Sequence, residues 1–128
     1  MSEYLGGDYI YNVLSNDATV TGYVGTSIYN ARMVPDTDTS AETINFYMTG
    51  NFDAALEYGD FSWSIDCRST EEAGALTIAI AVKDALNREH KSVSGYHYFG
   101  TVTILPVIPP VDNVDVYNMP VQLRVTRR

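Results

Sequence analysis

Cys67, His90 and His97 are the residues of this chain best suited by type to nucleophilic or metal chemistry. A thiol with an imidazole base beside it makes a nucleophile. Cys67, however, shares one face of the alternating stretch FSWSIDCR with Phe61, Trp63 and Ile65. A thiol among apolar side chains has little thiolate character, so the pattern predicts a buried, inert cysteine. His97 alternates with Tyr96 and Tyr98 and is expected on the polar face of a strand. His90, in REHK, is expected at a helix end, where a histidine suits the negative terminus. So placed, the two histidines lie apart and do not give metal-ligand spacing. Asp36 and Asp38 offer oxygens to a hard cation, but PDTDTS lacks the Gly and distal Glu of a calcium loop. It reads as a polar loop. The chain contains no G-x-G-x-x-G, P-loop, G-x-S-x-G or H-E-x-x-H. No catalytic residue, cofactor or metal is therefore expected. The tyrosines are spread over the whole chain, which predicts partial burial rather than a stacking platform for a sugar or base.

The elements that must position these residues follow from periodicity. Leu5, Tyr9 and Val13, with Ile10 and Leu14 beside them, predict an amphipathic helix over Glu3 to Leu14. Ser15 to Asp17 supply cap chemistry for a short second helix to about Tyr23. SIYNARMV, from Ser27 to Val34, reads as a strand, and Pro35 to Ala41 as a polar loop. In Thr43 to Met48, Ile44, Phe46 and Met48 point one way and Asn45 and Tyr47 the other. Residues 50–60 form an acidic connection. FSWSIDCR is the clearest strand. Ser69 and Glu72 then make a capping box for a helix that runs to about Arg88. Tyr96 to Ile104 is another strand. Pro106, Pro109 and Pro110 make Leu105 to Asn118 an extended excursion. The final strand puts Met119, Val121, Leu123 and Val125 on one face, and Pro120 suggests a sheet edge. The order predicts one α+β domain over residues 1–128: a largely antiparallel sheet of four to five strands, packed by one long helix plus N-terminal helices.

The long helix carries more apolar residues than one face needs. Ala75, Ile78, Ala79, Val82 and Leu86 make the stripe for the sheet, while Leu76 and Ile80 project away from it. If these two are also buried, the first helix or a neighbouring subunit covers them.

The formal charge of −8 argues against sequence-independent nucleic-acid binding and against docking on an anionic membrane. Asp36, Asp38, Glu42, Asp53, Glu57, Asp60 and Asp66 occur with no Lys or Arg among them. That stretch is either a solvated acidic surface or one that repels phosphate or meets a basic partner. The N-terminus lacks the pattern of a signal peptide, no apolar run approaches membrane-spanning length, and the single cysteine excludes an intrachain disulfide, so a reducing cytoplasm is expected.

In this element order the chain resembles the tail terminator family of long-tailed bacteriophages, with the related tail-completion and head–tail joining proteins. The residues that carry the resemblance are YIYNVLSNDATVTGYVG, then SIYNARMVPDTDTS with TINFYMTG, then WSIDCRSTEEAGALTIAIAVKDALN, and the closing PVQLRVTRR. It spans about Tyr4 to Arg124 and departs from the family at the proline-containing segment Leu105 to Asn118. The resemblance implies a non-enzymatic virion protein of the tail or neck, assembled in the host cytoplasm into a ring, commonly of six copies. The ring would end tail-tube growth, with the tube protein on one side and a head-completion or connector protein on the other. The genome would pass through without specific binding. Leu76, Ile80 and the strand with Met119, Val121, Leu123 and Val125 would be subunit contacts. Asp36, Asp38, Asp53, Glu57 and Asp60 would line the lumen or meet axial partners. A head-completion or stopper protein one ring higher is the alternative within this class. A small cytoplasmic α+β enzyme or ligand-binding domain is the alternative outside it.

Overall fold

A computed structural model describes residues 6–50, 59–110 and 115–128 of the chain. Helix α1 covers Gly7–Ser15, α2 Ala18–Val24 and α3 Glu72–Leu86. The strands are β1 Ile28–Asn30, β2 Glu42–Gly50, β3 Gly59–Ser69, β4 His90–Val93, β5 Tyr96–Ile104 and β6 Tyr117–Arg127. Among the described residues they form one six-stranded sheet in the order β1-β2-β3-β6-β5-β4, antiparallel throughout except for the short β1–β2 pair. The α+β class stands. The sheet has six strands rather than four to five, and α3, at 15 residues, is of ordinary length rather than long.

Cross-strand register builds the core. Phe61, Trp63, Ile65 and Cys67 lie opposite Val125, Leu123, Val121 and Met119 on one side. Trp63, Ile65 and Cys67 face Met48, Phe46 and Ile44 on the other. All are buried, under Ala75, Ile78, Ala79, Val82 and Leu86 of α3. Because side chains alternate along a strand, these rows lie on one face of the sheet, and burying them is the main drive for the fold.

This register corrects the placement of the last strand. β6 lies between β3 and β5, not at an edge. Pro120 is tolerated there for a local reason. Its carbonyl accepts from Leu105 N (2.9 Å), on the β5 side. In an antiparallel ladder N and C=O of one residue point the same way, so its donor-less nitrogen also faces β5. The β5–β6 ladder ends there, at Ile104 and Val121, and no bond to β3 is lost.

Helix starts and stops depend on single residues. Asp17 caps α2 as expected, accepting from Thr19 N and Val20 N, both at 3.0 Å. The capping box expected for α3 does not form. Glu71 takes the cap position, and Ser69, still in β3, accepts from Glu71 N (3.2 Å). A Cβ on Gly74 would sit 2.4 Å from Ser69 Oγ, so a side chain there would displace the hydroxyl that accepts from Glu71 N. The helix stops at Leu86, before Arg88. Asn87 turns extended and its side chain accepts from Val102 N (3.0 Å), while Arg88 adopts φ 60° and donates to Gly100 O (2.7 Å).

Other boundaries moved. α1 starts at Gly7 behind Gly6, and it buries Tyr9, Ile10 and Leu14, with Val13 half-buried. Glu3, Tyr4 and Leu5 lie outside the described residues. The strand expected over Ser27 to Val34 is only Ile28–Asn30, because the chain then turns away and Asn45 Nδ2 donates to the carbonyls of Ala31 and Arg32 (both 3.1 Å). In the excursion after β5, Ile108 and Asn118 exchange backbone bonds of 2.7 and 3.0 Å.

Candidate functional surfaces

The first surface is the outer flank of α3. Leu76 is 43% exposed and Ile80 46%. At 100° per residue they lie on the opposite flank from Ala81 and Ala85, which are buried. α1 and α2 pack against α3, and Ala85 borders a cleft with Val13, Asn16 and Asp17 of that helical pair. The N-terminal helices therefore cover the alanine flank and leave Leu76 and Ile80 open. Met119, Val121, Leu123 and Val125 behave differently. They are buried within the chain, at 7, 0, 0 and 0% exposure, so their expected role in subunit contact is withdrawn. They are core because β6 is central.

The second surface carries the acidic residues. Asp36 and Asp38 line a cleft of about 240 Å³ with Pro35, Ser40, Thr43 and Arg68. Asp38 accepts from the Tyr29 hydroxyl and from Ser40 N (2.9 Å). The Tyr29 hydrogen bond, then that of Ser40, holds its carboxyl well below the usual carboxylate range. Asp60 accepts from Thr126 Oγ1 (2.7 Å) and is paired with Arg124 Nη2 (3.1 Å), and the Thr126 bond first and Arg124 second hold its pKa down. Its charge is thus met within the chain. Asp53 and Glu57 lie outside the described residues.

The candidate nucleophile is inert by position. Cys67 is fully buried, and desolvation, aided by the Asp66 carboxylate, pushes its thiol far up. Among the described residues no group of three or more His, Cys, Asp or Glu side chains is arranged to hold a metal ion.

The histidines are where the structure departs most from the sequence reading. His90 does not end a helix; it opens β4. Ser94 and Gly95, at φ 54° and 83°, make the tight turn that folds β4 onto β5, a conformation that favours Gly at the second position. The hairpin sets His90 opposite Phe99 and Ser92 opposite His97. The imidazoles end up stacked, with centroids 5.5 Å apart and His90 Nδ1 3.3 Å from His97 Nε2. Ser92 Oγ lies 3.2 Å from His97 Nδ1. Phe99, Thr126 and Arg128 complete a cleft of about 280 Å³ around them.

Tyr9, Tyr96, Tyr98 and one C-terminal arginine are structural. Tyr9 stacks on Tyr98 (4.9 Å, 9°), and Tyr98 donates to Asp8 (3.4 Å). Burial pushes both phenols up to about 12, with Glu89 adding to the shift of Tyr9 and Asp8 to that of Tyr98. Arg127 is buried between the rings of Tyr96 (4.3 Å) and Phe61 (5.2 Å). Among the described residues no helix is long and apolar enough to cross a membrane.

No protein-family model matches the chain, and no curated protein matches it. Its fold is similar to a chain in the solved virion of a native gene transfer agent particle. That likeness has a TM-score of 0.69 at 21% identity and covers 92% of this chain and 90% of the other. The two share a fold over nearly their whole lengths.

Proposed function

We propose that this protein is a structural component of a phage-type virion, a tail terminator that closes the head-proximal end of the tail tube. The observation that carries the reading is the fold likeness to a chain of a gene transfer agent virion, end to end on both sides. Two features agree with it. The interior is a packed apolar core with an inert thiol, and an open apolar flank, Leu76 and Ile80, lies on a regular helix. A ring with head-to-tail contacts needs a surface that is dry in the assembly and wet in the free chain. In this reading Leu76 and Ile80 are buried by the next subunit. One end of the ring meets the tail-tube protein and the other a head-completion or connector protein. Asp36 and Asp38 face the passing DNA or an axial partner, and their charge keeps the phosphates from sticking.

The test is native mass across a concentration series with negative-stain imaging, followed by binding to isolated tail tubes. A closed ring, or a ring seated on the head-proximal tube end, supports the reading. A monomer that ignores tail tubes but binds emptied heads assigns the protein to the connector side as a stopper. A monomer that binds neither overturns the virion role.

A further inference from the structure

We infer that His90 and His97 form a two-imidazole chelate for a divalent late first-row cation, with zinc the best geometric fit. The inference does not depend on the virion role. Register puts His90, Ser92, His97 and Phe99 on one face of the β4–β5 hairpin, so the two rings converge without any rearrangement. Their facing nitrogens are 3.3 Å apart. Two Zn–N bonds of ~2.0–2.1 Å at a tetrahedral angle hold their nitrogens about 3.3–3.4 Å apart. Square-planar copper(II), with bonds at right angles, needs about 2.8–2.9 Å, a poorer match.

The proton positions agree as well. Metal on His90 Nδ1 and His97 Nε2 leaves the His97 Nδ1–H to donate to Ser92 Oγ, 3.2 Å away. Such an outer hydrogen bond is what fixes the tautomer and ring plane of a ligating histidine. Phe99 walls the His90 ring at 4.6 Å. The cleft of about 280 Å³ has room for the waters that fill the remaining positions. Arg128 lines the same cleft, and its charge opposes a cation there. That opposition separates a cation site from an anion site, for which Arg128 would be an asset.

The experiment is zinc titration of the intact protein by calorimetry, alongside ¹⁵N spectra of the imidazoles. The expected result is saturable binding of one ion per chain, metallated at His90 Nδ1 and His97 Nε2. His90→Asn or His97→Asn should weaken binding by tenfold or more, Ser92→Ala by up to about tenfold, and Arg128→Gln should tighten it. These side chains, unlike the core, are exposed, so thermal unfolding of the variants should match the parent. Absence of saturable binding, or binding retained in the double histidine variant, reduces the zinc to an adventitious ion and overturns the inference. So does saturable binding of inorganic phosphate by the parent protein that Arg128→Gln abolishes, which would make the cleft an anion site. Should a variant fail to fold, the ¹⁵N assignment on the parent protein decides alone.

Discussion

Cys67 and Asp38 show how position sets the chemistry of one side chain. Burial and the neighbouring Asp66 keep Cys67 as a thiol. The native protein should react with a thiol reagent only as fast as it opens, and denaturant should restore fast modification. Asp38 lies the other way. Its carboxylate is held by Tyr29 and Ser40, and its folded pKa is below the unfolded value of ~3.9. The stability this contributes is therefore full at neutral pH and lost as pH falls through the folded pKa. Asp38→Asn or Tyr29→Phe should flatten the acid limb of a stability–pH curve, and because the same bond raises the Tyr29 pKa, either should also soften the loss of stability at alkaline pH.

The elements divide by how locally they are determined. β5 is found where its alternation predicts it, Tyr96–Ile104, and the core face of β3 is the one that Phe61, Trp63, Ile65 and Cys67 mark. β4 was not legible. HKSV holds a single apolar residue, so it has no period of its own, and it becomes a strand only because the Ser94–Gly95 turn presents it to β5. The histidine pair was hidden for the same reason, since it exists only once that hairpin closes. The central place of β6 was hidden too, because Pro120 signals an edge and the neighbour that makes it harmless, the end of β5, is a tertiary fact. Two substitutions check these placements by thermal unfolding. Leu123→Ala should cost about 2–5 kcal/mol, as a core truncation does. Gly74→Ala should cost about 1–3 kcal/mol, because the new methyl meets the Ser69 hydroxyl.

The whole molecule adds the open flank of α3. Leu76→Asp with Ile80→Asp should lower the unfolding free energy of the free chain by about 1–3 kcal/mol, from lost partial burial and helix propensity, and leave it folded. The same pair should abolish ring formation or binding to tail tubes, read by native mass and by co-sedimentation. A loss of folding in place of a loss of assembly would mean that the flank is covered within the chain.

The order of the strands also governs how the chain is made. β6, the last strand in sequence, is inserted between β3 and β5. A ribosome delivers both flanking strands before the strand that joins them. Until Tyr117–Arg127 emerges, β3 and β5 each present an unpaired edge where the middle of the sheet will be. Native pairing of Phe61 with Val125 is also far apart in sequence, a topology that folds slowly. The nascent protein thus passes through an interval in which its most apolar strands are open to other chains. Slower translation or added chaperone should therefore raise its soluble yield.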